Sequence, residues 1–175
     1  MKPIKQIFET EYRTCEFLPA SNKKYVEEEI KAHKDYEQKE GKLEESGAYL
    51  LKRDAPHPLL AEKIKIEDIT KQLSELFPAF QKVMVISGYL SEVQDDTHAF
   101  GDDLFTLLIQ EKEGLLSHIW LTILKKEEND QKLLTKFWHD FPLPLILIDW
   151  KRGKILTQTS ELEDYLKLFP EKPQI

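Results

Sequence analysis

Cysteine is nearly absent: Cys15 stands alone in 175 residues. No disulfide can therefore close within the chain, and no Cys-x-x-Cys or Cys/His spacing offers a zinc site. Cys15 lies near Tyr12 and Phe17 and reads as a small packing residue. Glycine is scarce too, with six in the chain and no GxGxxG or Walker arrangement among them. That absence removes the loops that cradle phosphates, and with them most nucleotide-dependent enzymes. The longest apolar run, Leu143–Ile148, is interrupted by Pro144 and falls far short of the roughly 20 residues that span a bilayer. Met1–Thr10 has no apolar segment of the secretory kind. The expectation is a soluble, cytoplasmic protein that needs no cofactor.

Positive charge is also in deficit. Lys and Arg number 25 against 32 Asp and Glu, giving a formal charge of -7 and a pI near 5.3. A broad nucleic-acid footprint needs a basic face to displace counterions, so that class is disfavoured. The small basic turn Trp150–Lys154 does not reverse the balance. Apolar residues make up 41% of the chain, enough for a core without metal or disulfide.

Periodicity divides the chain into residues 1–60, read as a helical arm packed on the core, and 61–175, read as the core domain. Tyr25–Ser46 is crowded with charges of both signs, with Val26, Ile30, His33 and Tyr36 on one narrow stripe. Ala48–Lys52 reads as a short strand and Asp54–Pro58 as a loop. Ile66, Ile69, Leu73 and Leu76 step by three and four, predicting a helix that ends before Pro78. Strands are predicted over Gln81–Leu90, Leu104–Gln110 and His118–Leu124, paired as an antiparallel meander by short connections.

A helix capped at Asn129 or Asp130 follows, with Leu133, Leu134, Phe137, Trp138 and Phe141 inward. Leu143–Asp149 reads as a strand covered on both faces. Lys154–Thr157 is a short strand, and Ser160-x-x-Glu163 reads as a capping box opening a last helix. The fold class is α+β: a central mixed, mainly antiparallel sheet, a three-stranded meander plus a buried strand, flanked by helices.

Between the first two predicted strands lies Ser91–Asp103, and from Glu92 to Glu113 seven acidic side chains meet one lysine, Lys112. That net of six negative charges is most of the chain's total. Like charges on one loop repel, so the cluster is either a tolerated solvated loop or a site for something positive. The candidate partner-binding residues are Glu92, Asp95, Asp96, His98, Asp102 and Asp103. Asp and His side chains also suit a divalent ion, but no D-x-[DN]-x-[DN]-G calcium loop is present. Elsewhere, His57, His118 and His139 are scattered, and Ser87-Gly88 lacks the glycines of a nucleophile elbow. No catalytic residues are assigned.

The predicted order of helix, three antiparallel strands, helix and strand over residues 63–150 is similar to the core of the PD-(D/E)xK nucleases. The resemblance implies magnesium held by an acid opening the second strand, Asp102 or Asp103, and by an acid-x-lysine triplet on the third. Lys125 matches the lysine, but Ile123 occupies the acidic position. A second register pairs Asp96 with Gln110-x-Lys112 and supplies an amide where the second carboxylate belongs. The leading expectation is a small non-enzymatic protein that binds a basic protein partner through its acidic loop, as inhibitors and immunity proteins do. The alternative is a divergent or degenerate magnesium-dependent nuclease.

Overall fold

The computed structural model describes residues 3–40 and 54–174. Among these residues nine strands form two sheets. The larger has six strands in the order β5(Thr97–Gly101), β6(Phe105–Lys112), β7(Leu115–Ile123), β2(Cys15–Pro19), β8(Leu145–Asp149), β9(Lys154–Leu156). Every pairing in it is antiparallel. The smaller joins β1(Ile4–Phe8) in parallel to β3(Lys82–Ser87), and β3 in antiparallel to β4(Leu90–Val93). Four helices complete the α+β fold: α1(Lys23–Glu40), α2(Ile66–Leu76), α3(Glu128–Asp140) and α4(Leu162–Leu166). No helix among the described residues is long and apolar enough to cross a membrane.

The buried strand is where the sequence places it. All five residues of β8 are buried, because β2 and β9 flank it and apolar side chains cover both faces. On one face Leu145 and Leu147 pack with Leu134, Phe137 and Trp138 of α3 and Leu166 of α4. On the other, Ile146 and Ile148 meet Leu18, Val26 and Ile30. Thus α1 buries only the first half of its predicted stripe, and Tyr36 stays exposed.

The meander is displaced from its predicted position. It consists of β5, β6 and β7, not of residues 82–90 with the next two strands. Two local causes account for this. Gly88 adopts a left-handed φ of 60° and folds the expected first strand back at Gly88–Tyr89, so that Ser87 pairs with Leu90. The expected acidic loop then contains β4 and β5 themselves, with Thr97, Ala99 and Phe100 buried. Charges at the ends of β5 disguised a strand whose interior is apolar. Its outer edge is closed by residues 78–80: Phe80 N–H donates to Ala99 O at 2.9 Å, and Gly101 N–H to Pro78 O at 2.8 Å.

Residues 1–60, expected as a helical arm, place a strand in each sheet, and β2 lies between β7 and β8. The proposed strand at 48–52 lies outside the described residues. Two predicted caps also differ. Glu127, not Asn129 or Asp130, caps α3, and Asp130 completes a reciprocal capping box from the third helical position. The box expected at Ser160 and Glu163 is replaced by a 3-10 turn over Thr159–Glu161. There Glu161 accepts from the N–H and the hydroxyl of Thr157.

Trp138 packs edge-on to Phe17 at 5.4 Å and donates from Nε1 to Leu145 O at 3.1 Å. Trp138→Ala and Leu145→Ala are each expected to lower unfolding free energy by about 2–5 kcal/mol, the range for emptying a core site. Chemical denaturation measures this, and an unchanged midpoint in either variant would place the core elsewhere.

Candidate partner-binding surface

β5 divides the acidic residues into two groups. Asp96 precedes it and Asp102 follows it, and at about 3.4 Å per residue the strand holds them roughly 20 Å apart. The six candidate residues therefore do not form one patch. Glu92, Asp95, Asp96 and His98 lie toward one end of the β5–β6 hairpin, and Asp102 and Asp103 lie at the other.

The Asp102 end is occupied with folding. Asp102 Oδ1 accepts from the N–H groups of Leu104 at 2.8 Å and Phe105 at 2.9 Å, the Asx geometry of a tight turn. Gly101 precedes it with φ 123°, and a Cβ there would stand 2.2 Å from Phe105 O. Asp102 Oδ2 lies 2.7 Å from Lys172 Nζ, which also reaches Asp130 at 2.9 Å and Glu127 at 3.5 Å. Burial opposes ionisation of Asp102, but the Lys172 bond and the two N–H donors outweigh it and hold its pKa below the ordinary value. The same carboxylates, against the effect of burial, raise that of Lys172.

Asp103 stands 3.9 Å from Lys5 Nζ, and that amine donates to Asp103 O at 3.0 Å. Lys5 is almost wholly buried, and the loss of water lowers its pKa despite Asp103, Asp102 and Glu11 nearby. Both carboxylates thus have lysine partners far away in sequence, which no local pattern announces.

The other end is built differently. Glu111 N–H donates to Asp96 O at 2.9 Å, which ties the β4–β5 turn to the end of β6. Asp96 is held by Gln110 Nε2 at 2.9 Å and by the Thr97 hydroxyl at 3.0 Å. His98 Nε2 meets Glu111 Oε2 at 2.9 Å. Glu92, Asp95 and Glu113 are exposed, and among the described residues they make no ion pair or side-chain hydrogen bond. Glu113 occupies the β6–β7 turn with a left-handed φ of 54°, next to Lys112. This end of the molecule keeps its negative charge in water.

Beside it opens a cleft of about 700 Å³ whose lining includes Glu16, Asp96, Gln110, Lys112, Ser117 and His118. A register shift between Gln110 and Glu111 on β6 sets Gln110 against His118 and Glu111 against Leu116, and Ser117 is the extra residue of the bulge. His118 stacks on Trp120 at 4.9 Å. Loss of water from the ring, with the Arg13 guanidinium nearby, lowers its pKa against the pull of Asp96. Glu16 accepts from Trp150 Nε1 at 2.7 Å.

The two nuclease registers fare differently. Lys125 is brought to the β5–β6 turn, where its N–H donates to Leu104 O at 3.2 Å, but Asp102 and Asp103 there are matched by Lys172 and Lys5. Asp96, Gln110 and Lys112 do gather at one cleft. Among the described residues, no three His, Cys, Asp or Glu side chains stand together as metal ligands.

No family model, curated protein or solved structure matches the chain.

The depressed pKa of Asp102 makes a pH prediction. A carboxylate more acidic folded than unfolded adds stability above its unfolded pKa of about 3.9 and loses it as pH falls through the folded value. Wild type should therefore exceed Asp102→Asn in stability at pH 6, and the difference should shrink below about pH 4. Urea denaturation across pH 2.5–7 measures it. A difference that stays constant across that range would remove Asp102 from the ion-paired network.

Proposed function

We propose that the chain works by binding a basic protein through the end that carries Glu92, Asp95, Asp96, Glu111 and Glu113. The reading rests on one contrast. At the Asp102 end lysines from distant segments match the carboxylates, whereas Glu92, Asp95 and Glu113 stand exposed without a cation. Self-repulsion at such a site costs stability, and a cationic partner relieves it. Carboxylates gathered on the β4–β5 and β6–β7 turns and the strand ends beside them also suit rapid, salt-sensitive encounter with a positive surface. Inhibitors of basic enzymes, including immunity-type proteins, use charge in this way, and the chain is read as a member of that functional class.

The test is capture of the partner from source-cell extract, followed by association kinetics with the purified pair. Glu92→Gln, Asp95→Asn and Asp96→Asn together should slow association about tenfold or more at low salt. Dissociation should change less, and the effect should fade as the Debye length drops below roughly 8 Å. Asp102→Asn should leave association near the wild-type rate. Equal association by the triple variant and wild type would end this reading.

The nuclease alternative is favoured by one observation, the convergence of Asp96, Gln110 and Lys112 on the cleft. It is the second reading because in that register Gln110 is neutral where the second carboxylate belongs, and among the described residues no three potential ligands of the cleft stand together. Incubation with DNA and magnesium decides between them. Cleavage that disappears in both Asp96→Asn and Lys112→Met would make the chain an enzyme.

A further inference from the structure

We propose that the outer edge of β4 receives an extended segment of the basic partner, which adds a fourth strand to the three-stranded sheet and alternates basic with apolar side chains. This deepens the binding function proposed above and rests on it.

The register decides which main-chain groups β4 has to offer. A two-residue turn, Gly88-Tyr89, joins β3 to β4, and Ser87 pairs with Leu90 across it. Residues flanking such a turn exchange both of their hydrogen bonds, and bonded and non-bonded pairs then alternate along the hairpin. Leu90 and Glu92 therefore bond to β3, and Gln94 N–H continues the series by donating to Val83 O at 2.8 Å. Ser91 and Val93 fall between them and turn their N–H and C=O groups away from β3.

β4 ends the sheet order β1-β3-β4, and all four of its residues are exposed. Among the described residues, nothing bonds to the outward groups of Ser91 and Val93. Two donors and two acceptors along one edge are a template for strand addition. In that mode the main chain supplies affinity, and alternate side chains supply selectivity.

The rows of the sheet specify the occupant. Val85 and Glu92 form one row, and Met84 and Val93 form the next, on the opposite face. A residue of the added strand set beside Glu92 meets a carboxylate, and Asp95 follows within three residues. A residue set beside Val93 extends an apolar row. The matching segment is thus basic on one face and apolar on the other.

Glu92 also selects against other occupants. A second copy adding through its own β4 would gather Glu92, Asp95 and Asp96 of both chains at one seam, and like charges there oppose pairing. At the end of the larger sheet, β9 begins at Lys154 and follows Lys151 and Arg152. That edge repels the segment that β4 attracts.

The test uses the isotope-labelled full chain and two blocked hexapeptides, acetyl-Lys-Val-Lys-Val-Lys-Val-amide and its Glu-for-Lys counterpart. In the free chain the Ser91 and Val93 amides should exchange with solvent about tenfold or more faster than those of Glu92 and Gln94. The lysine peptide should slow Ser91 and Val93 about threefold or more, and the glutamate peptide should leave them unchanged. Val93→Pro removes one outward N–H and no bond to β3, the edge position at which a sheet tolerates proline. It should weaken the lysine peptide about three- to tenfold, the effect of one main-chain hydrogen bond, with thermal stability near wild type. In complex with the protein captured from source-cell extract, the same two amides should be slowed.

Ser91 and Val93 already protected in the free chain, an equal response to both peptides, a response centred on β1 or β9, or unaltered exchange in the complex would each overturn the proposal. So would full affinity in a folded Val93→Pro, and if that variant does not fold, the wild-type exchange pattern decides. If the two amides stay fast while the acidic triple variant still slows association, only this inference falls. If the triple variant is silent, the charge-based reading of function fails separately.

Discussion

The larger sheet depends on the insertion of β2 between β7 and β8. Residues 15–19 are all buried, and they join the meander on one side to β8 and β9 on the other. Without that strand, β7 and β8 would each present an open edge, and the helical layer over Leu121 and Leu147 would have no continuous surface to cover. Pairing is fixed by chemistry at both ends. Trp150 N–H donates to Thr14 O at 2.9 Å, and Ala20 N–H to Pro144 O at 2.9 Å. Between them Glu16 accepts from Trp150 Nε1. A strand from the N-terminal segment therefore sets the position of the hairpin that carries the acidic residues.

Much of the architecture was legible wherever a single face of an element decides its fate. Leu134, Phe137 and Trp138 on α3, and the unbroken run of β8, sit where periodicity places them because burial alone rewards that pattern. The failures have a common physical origin in distant pairing. β1 joins β3 across more than 70 residues, and nothing local distinguishes Ile4–Phe8 as its partner. Likewise, the sequence around Asp102 carries no sign that Lys172 will neutralise it, or that Lys5 will lie buried beside Asp103. The acidic segment looked like one site because sequence distance conceals the length of a strand. The five residues of β5, anchored at both ends by hydrogen bonds, separate it into a half matched by distant lysines and a half without lysine partners.

That separation also explains how a protein tolerates so much charge in one stretch. Asp102 serves a turn and a lysine network, so its charge stabilises the fold at neutral pH. Of the remaining carboxylates, Asp95, Asp96 and Glu113 stand on turns and Glu92 on an edge strand, where water screens them.

Hydrogen exchange on the purified chain, free and bound to the protein it captures, tests this account most directly. The account predicts slowed exchange in β4 and in the turns at 94–97 and 112–115, with the Asp102 turn and the helices on the far face unchanged. Protection confined to the Asp102 turn, or to the helical face over β8, would contradict it.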